Sequence, residues 1–179
     1  PYINMNNQRR TGVDLSVNVG KKHGDFEWNV GLVGMYYTSK NTKWDENVKY
    51  DWLKAEGEAI DALRGYQCIG FFKDAADVES SAKVNANTKP GDLKYVDQNN
   101  DGVINEQDQV VLGKWGASWV MGLNLTAKYK GFTLFVAGTG SFGGKGLKNN
   151  SYMHVYGDRK YSEVVRGRWT EETADIATY

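Results

Sequence analysis

The chain has 179 residues, of which 22 are Lys or Arg and 22 are Asp or Glu, so its formal net charge is +0. The balance excludes a large basic surface for nucleic acid, and we expect no nucleic-acid partner. One cysteine, Cys68, excludes internal disulfides and cysteine-based zinc clusters, and we expect it to be buried or half-buried. With 21 glycines, 13% aromatic residues and only 2 prolines, the composition favours strands over disorder.

The sequence contains no membrane helix, because no stretch reaches the ~20 apolar residues that such a helix needs. The mean hydropathy of -0.60 is compatible with a membrane β-barrel, whose strands alternate apolar and polar residues. The first residues, "PYINMNNQRR", carry neither a start methionine nor a signal-peptide pattern, and we expect a piece of a longer protein.

The first strong element is a hairpin. The stretch "VDLSVNV", 13–19, alternates apolar and polar residues, and "FEWNVGLVGMYY", 26–37, resumes the alternation after a polar break. We predict a four-residue loop over Lys21–Gly24 that pairs Val19 with Phe26. This register also pairs Val17 with Trp28 and Leu15 with Val30, so one face of the hairpin is apolar.

A second hairpin follows in "WVMGLNLTAKYKGFTLFVAGTGSF", 119–142. A two-residue Lys130-Gly131 turn predicts an apolar face on which these residues are paired: Tyr129 with Phe132, Ala127 with Leu134, Leu125 with Val136, and Trp119 with Phe142. Leu123 also lies on this face. The opposite face pairs Lys128 with Thr133 and Asn124 with Ala137, and it carries Thr126.

The apolar stripe from Trp119 to Tyr129 has the length of a membrane crossing. Ten steps of a strand tilted by ~45° span about 24 Å, close to the ~25 Å apolar band of an outer-membrane barrel. Aromatic residues stand at both ends, as interfacial girdles do. We therefore interpret the apolar face as lipid-facing and Lys128, Asn124 and Thr126 as lumenal. A soluble β-sandwich, which also alternates, is the competing interpretation.

Between the hairpins, residues 38–116 form a long excursion, predicted to be extracellular because barrels keep their short turns on the periplasmic side. Within it, "DALRG", 61–65, and "DAADVESSA", 74–82, are predicted helical turns, and "YQCIGFF", 66–72, a short strand. Since a membrane barrel needs at least ~8 strands, residues 1–179 are predicted to be a segment of a larger all-β transmembrane barrel.

The most specific motif is "DQNNDGVINEQD", 97–108, hereafter the Asp-rich loop. Its oxygen-bearing residues stand at positions 1, 3, 5, 9 and 12, with Gly102 at position 6, as in an EF-hand calcium loop. The preceding residues include Pro90 and Gly91 and predict no entering helix. The candidate Ca²⁺ ligands are Asp97, Asn99, Asp101, the Val103 carbonyl, Asn105 through water, and Asp108. The alternative is an Asx-rich turn that folds without metal.

Other candidate sites are weaker. His23 and His154 have no second ligand at metal spacing, and "GTGSFGGKG", 138–146, is better explained as a strand end than as a phosphate loop. Four aromatic residues lie on predicted outer loops: Trp44, Tyr50, Trp52 and Tyr152. We expect their rings either to stack on sugar rings or to pack the loops together. No nucleophile–base pair is evident, and we expect no enzyme.

Four segments in order resemble the C-terminal barrel region of SusC/RagA-type TonB-linked outer-membrane transporters. They are "GFFKDAADV", "PGDLKYVDQNNDGVINEQDQVVLGK", "GLNLTAKYKGFTLFVAGTGSFGG" and "RGRWTEE". The resemblance implies import of glycan or peptide nutrients, energised through TonB, with a SusD-like surface lipoprotein as partner. It also implies that a plug domain, a TonB box and the closing strand belong to other parts of the protein.

Two further functions compete with transport. One is a soluble extracellular β-sandwich that binds carbohydrate and has a calcium-stabilised loop. The other, a calcium-dependent hydrolase, lacks an acid–base constellation in the sequence. The apolar faces distinguish the transport barrel from the sandwich, because a sandwich buries them under a second sheet whereas a barrel presents them to lipid.

Overall fold

The computed structural model describes residues 5–147 and 163–178. Its contacts divide the chain into two compact units. The first unit contains the described residues up to Asn47 together with Lys54–Leu63 and Gly113–Lys145. The second unit contains Val48–Leu53, Arg64–Leu112 and the described residues after Lys145.

The structure is all-β, with antiparallel sheets and little helix. Its strands and helix are β1 (Asn7–His23), β2 (Phe26–Lys43), β3 (Ala62–Tyr66), β4 (Cys68–Phe71), α1 (Ala75–Ser80), β5 (Leu93–Tyr95), β6 (Gln109–Lys114), β7 (Trp119–Tyr129) and β8 (Phe132–Phe142). Short 3₁₀ turns lie at Asp51–Leu53, Glu106–Asp108, Glu163–Gly167 and Glu171–Thr173. In the described part of the chain, no helix is long and apolar enough to span a membrane.

The main sheet of the first unit has four strands in the order β1-β2-β7-β8. Within residues 5–147 and 163–178 it does not close into a barrel. The β7–β8 register confirms the predicted pairs, from Tyr129 with Phe132 to Trp119 with Phe142. Lys130 and Gly131 form the turn with φ of 43° and 87°. Two positive φ angles give the tight turn whose twist matches that of the flanking strands.

The β1–β2 hairpin corrects the predicted turn. The strands continue through Lys21–His23, and His23 pairs with Phe26 across a turn at Gly24 and Asp25. Gly24 has a φ of 59°, which a residue without Cβ adopts readily and which allows the shorter turn. Val19 therefore pairs with Val30, four residues beyond the predicted Phe26. Because four is an even number, the apolar residues stay on the predicted face.

The same shift changes the other two predicted pairs. Val17 pairs with Leu32 rather than Trp28, and Leu15 pairs with Gly34 rather than Val30. Both strands are also longer than the alternation indicates, since pairing continues to Asn7 and Lys43. The segment between β2 and β7 is therefore 44–118 instead of 38–116.

The excursion contains two small sheets, one of β3 and β6 and one of β4 and β5. The predicted strand in 66–72 is confirmed by β4, and the predicted helical turn in 74–82 is confirmed by α1. The helical prediction for 61–65 was wrong, because β3 begins at Ala62 and pairs with β6. Pairing with a distant strand overrides the weak local preference. Cys68 is exposed, not buried, since it lies in a short two-stranded sheet.

The second unit is held together partly by Asp77 on α1. Its carboxylate accepts hydrogen bonds from Lys94 Nζ (2.5 Å), the Lys73 amide (3.1 Å) and Ser81 Oγ (3.1 Å). The bond from Lys94, followed by that from the Lys73 amide, lowers the pKa of Asp77. Asp77 therefore joins α1 to β5 at neutral pH, and this contribution is lost as the pH falls below the ordinary carboxyl range, through the lowered pKa.

Candidate functional site

The apolar face is continuous across all four strands of the main sheet. One row joins Val19, Val30, Leu125 and Val136, and the next joins Val17, Leu32, Leu123 and Gly138. Directly paired residues of antiparallel strands point to the same side of a sheet. Two hairpins that the sequence presents separately therefore form a single apolar surface, because β2 pairs with β7.

This surface is exposed. Leu15 is 68% exposed, Leu32 52% and Leu134 58%, whereas Val30 and Leu125, in the middle of the face, are half-buried. A continuous apolar patch of this kind marks an interaction surface, and soluble monomers rarely leave one open. Apolar side chains on the opposite face, such as Val33 (50%) and Phe135 (64%), are exposed as well. What distinguishes the apolar face is that its apolar residues form continuous rows across all four strands, which suits contact with lipid.

Aromatic side chains border the apolar face at both ends. At one end the rings of Tyr36 and Trp119 lie 4.5 Å apart, and Trp119 pairs with Phe142. At the other end Tyr129 pairs with both Phe26 and Phe132. Rings with an apolar body and, in Tyr and Trp, a polar tip are the residues that barrels place at the two membrane interfaces.

The opposite face is mixed to polar. Lys128 and Glu27 are paired across β2 and β7, with Nζ 3.4 Å from Oε1. Asn124 lies over Gly31, where an added Cβ would meet its Oδ1 at 2.5 Å. The predicted division between Leu125 and Thr126 is confirmed in so far as the two residues point to opposite sides of the sheet.

The Asp-rich loop belongs to the second unit and is closed by its first and last carboxylates. Asp97 accepts hydrogen bonds from the amides of Asp101 (3.3 Å) and Gly102 (2.8 Å). Asp108 accepts from the amides of Gln98 (2.9 Å) and Asn105 (2.8 Å), and it is 0% exposed. Gly102 has a φ of 83°, so the sharp bend at position 6 suits a residue without Cβ.

Between these carboxylates run successive Asx turns. The side-chain oxygens of Asn99, Asp101 and Asn105 each accept a hydrogen bond from the amide two residues on, at 3.0, 2.9 and 2.8 Å. The bond from the Val103 amide, followed by that from the Asn99 side chain, lowers the pKa of Asp101. The loop thus satisfies several of its amides with its own side chains, and Asp101 is ionised at neutral pH.

The candidate calcium ligands form one short loop, but their carboxylates do not converge. Among residues 5–147 and 163–178, no three carboxylate, imidazole or thiol side chains lie close enough to share an ion. Each oxygen retains a second lone pair beside its amide hydrogen bond. The donor set is entirely oxygen, as calcium prefers, and the oxygens of Asn99, Val103 and Asn105 would have to supplement the carboxylates.

Strand and turn replace the helices that flank an EF-hand. β5 ends at Tyr95, just before the loop, and the 3₁₀ turn Glu106–Asp108 leads into β6. Asn105 caps this turn, and the Asp108 side chain bonds back to the Asn105 amide as a capping box. In the middle of the loop, the Ile104 amide donates to the Lys83 carbonyl (2.9 Å).

Two aromatic residues of the excursion pack against each other and against the Asp-rich loop. The rings of Tyr50 and Trp52 are stacked at 4.5 Å, and Trp52 Nε1 donates to the Gln107 carbonyl (2.8 Å). The packing interpretation is confirmed for these two residues. Trp44 is half-buried, and its amide donates to Glu56 (3.3 Å).

The histidine and glycine-rich candidates contribute no site in the described residues. His23 is exposed at the end of β1, and the segment 138–146 contains the end of β8. Tyr152 and His154 lie outside the described residues. The sequence interpretation missed a pocket lined by 82–95, because its Asn, Thr, Pro and Gly residues indicate turns but not the cavity that those turns enclose.

Comparison with known proteins adds two relatives. The chain is 30% identical over 125 residues, 67% of its length, to TonB-dependent receptor P26 of Formosa agariphila. It is 29% identical over 90 residues, 50% of its length, to TonB-dependent receptor P3 of the same organism. The chain is thus similar to parts of TonB-dependent receptors, and it spans only 12% and 9% of these two. No protein-family profile matches it.

Proposed function

We propose that this chain is a barrel segment of a TonB-dependent transporter in the outer membrane of a Gram-negative bacterium. The observation that carries the proposal is the exposed apolar face, which is bordered by aromatic residues at both ends. Similarity to parts of two TonB-dependent receptors supports the same function independently. In a soluble carbohydrate-binding sandwich this face would be buried, so we do not favour that alternative.

The proposal extends to the SusC/RagA type, with glycan or peptide nutrients as cargo and a SusD-like surface lipoprotein as partner. These finer assignments rest on the motif resemblance, from "GFFKDAADV" to "RGRWTEE". TonB would act through parts of the protein outside this chain. The role of the chain is to form wall and loops of a transport path, and catalysis is no part of the proposal.

Cys68 provides a direct test of the membrane topology. In intact cells expressing the parent protein with Cys68 as its single cysteine, a membrane-impermeant maleimide is expected to label this exposed residue. The excursion would lie outside the cell, whereas the Lys130-Gly131 turn would face the periplasm.

The matched control is Lys130→Cys in a Cys68→Ser background, which should be labelled only after the outer membrane is permeabilised. Labelling is measured by mass shift before and after permeabilisation. Equal labelling of both positions in intact cells would contradict the proposed orientation.

We further propose that the Asp-rich loop binds Ca²⁺ in a structural role. Asp97, Asn99 and Asp101 would contribute side-chain oxygens, Val103 its carbonyl, Asn105 a water-mediated contact and Asp108 its carboxylate. The spacing of these oxygens and the lone pairs left by their hydrogen bonds support this assignment. An ion would order a long segment that has few buried apolar residues, two of which are Phe72 and Ile104.

Removal of calcium is expected to speed proteolysis of the excursion. In the unmutated parent protein, EDTA should accelerate limited trypsin digestion, and added calcium should reverse the effect. When the free ion concentration is about 100 times the dissociation constant, binding stabilises the folded state by about 2.7 kcal/mol, which sets the scale of the effect. Asp101→Ala should be digested rapidly with and without EDTA.

Glu106→Ala is the control, because Glu106 is exposed in the same loop and is not a proposed ligand. It should retain the EDTA response. If EDTA leaves the digestion rate of the unmutated protein unchanged, the loop is a polar turn that needs no metal.

A further inference from the structure

The second unit contains a half-open pocket of about 520 Å³ that is distinct from the apolar sheet face and from the predicted calcium ligands. We call it the 82–95 pocket, after the segment that forms most of its wall. Its volume lies within the ~300–1,000 Å³ that is usual for small-molecule sites.

The floor of the pocket is apolar and fixed. Phe72 is 2% exposed and Ile104 is 4% exposed, and both line the pocket. The Phe72 amide donates to the Asp92 carbonyl (2.9 Å), and the Gly91 amide donates to the Phe72 carbonyl (2.8 Å). These bonds tie the floor to the wall, so a ligand would enter a preformed site without having to order it.

The turn that forms the rim is also internally bonded. Asn85 Oδ1 accepts from the Asn87 amide (2.8 Å), and Thr88 Oγ1 donates to the Asn85 carbonyl (2.9 Å). One oxygen of Asp92 accepts from the Lys89 amide (2.8 Å). These bonds fix the conformation of the turn at the rim, and they use only part of the hydrogen-bonding capacity of its side chains.

Four polar groups of the lining have no hydrogen-bond partner within the described residues: the side-chain nitrogen of Asn85, the Asn87 side-chain amide, the second oxygen of Asp92 and the Tyr95 hydroxyl. Burial raises the pKa of Tyr95, which keeps its hydroxyl protonated as a donor. An amide, a carboxylate oxygen and a phenol above an apolar floor can pair with several hydroxyl groups of one ring.

The charge of the lining narrows the ligand class. Asp92 is the one charged residue among the described residues that line the pocket. The ammonium of Lys94 lies 5.6 Å from the centroid of the Phe72 ring, but it is already paired with Asp77 (2.5 Å). A phosphate, a uronic acid or a peptide carboxylate would therefore meet the negative charge of Asp92 beside a cation that another carboxylate neutralises. A neutral ring with hydroxyl groups on its edge and C–H groups on its faces meets no such penalty.

We infer that the 82–95 pocket binds a neutral sugar, with Phe72 and Ile104 under the ring and with Asn87, Asp92 and Tyr95 at its hydroxyl groups. The inference deepens the proposed function and rests on it only for the source of the ligand, since an extracellular excursion would meet free glycan. It selects neutral glycan over peptide as the ligand of this pocket.

The test is saturation-transfer NMR on the purified, detergent-solubilised parent protein with the neutral disaccharides maltose, cellobiose, mannobiose and lactose. At least one is expected to receive magnetisation and to bind. Val84→Trp fills the mouth of the pocket and should abolish this transfer. Asn87→Ala removes one hydrogen-bonding group and should weaken binding by up to about tenfold.

Ile69→Trp is the matched control, because Ile69 is 56% exposed, Val84 is 53% exposed and only Val84 lines the pocket. Binding in Ile69→Trp should be unchanged. The inference is wrong if none of the disaccharides binds, if Val84→Trp binds normally, or if dipeptides bind with the same dependence on Val84. The NMR assay measures binding and needs no uptake. If the unmutated parent protein showed no TonB-dependent import in cells, the transport proposal would be refuted, whereas sugar binding in the 82–95 pocket would stand.

Discussion

Arginine at Leu125 is expected to destabilise the folded parent protein in a bilayer by about 2–4 kcal/mol, whereas arginine at Thr126 should cost much less. Leu125 pairs with Val30 and Val136 on the apolar face, near the midpoint between the aromatic residues at its two ends. A cation at this depth has neither water nor an anion to stabilise it. Thr126 is the adjacent residue of β7 and points to the other side of the sheet.

The measurement is urea unfolding of the parent protein in lipid vesicles, followed by the change in gel mobility between folded and unfolded forms. Thr126→Arg is the control, because the two sites share one strand and differ only in the face that they occupy. Similar losses of unfolding free energy at both positions would argue against a lipid-facing sheet. A larger loss at Thr126 would assign lipid to the opposite face.

The second large effect is expected at Asp108. Asp108→Ala removes the acceptor for the Gln98 and Asn105 amides and also one half of a capping box. Loss of a cap costs ~1 kcal/mol, and each amide left without a partner costs ~1–3 kcal/mol when it is buried. Because both amides are only partly buried, we expect the free energy of local opening to fall by about 2–4 kcal/mol.

Amide hydrogen exchange in EDTA measures this change without a contribution from metal. Exchange at Gln98 and Asn105 should accelerate by roughly 30-fold to 700-fold, since each 1.4 kcal/mol is a factor of ten. Asp108→Asn retains one acceptor oxygen and should give an intermediate effect. Glu106→Ala, an exposed change in the same turn, should have little effect. Unchanged exchange in Asp108→Ala would show that other contacts close the loop.

The β7–β8 hairpin could be predicted residue by residue, because two local signals agree. The period-two alternation determines the face of each residue, and Lys130-Gly131 provides a two-residue turn. In β1–β2 the alternation again determines the faces, but Lys21, Lys22 and His23 interrupt it near the turn. The predicted register was therefore wrong by four residues, although the apolar face was right.

The sequence by itself determined which residues share each face of the two hairpins, and it marked the oxygen spacing of the Asp-rich loop. It did so because side-chain direction in a strand and the bend at Gly102 depend on residues close in the chain. Only the tertiary structure decided that β2 pairs with β7, that β3 is a strand, and that 82–95 encloses a pocket over Phe72 and Ile104. Those features depend on residues far apart in sequence. Their contacts override weak local preferences, so neighbouring residues show no pattern that predicts them.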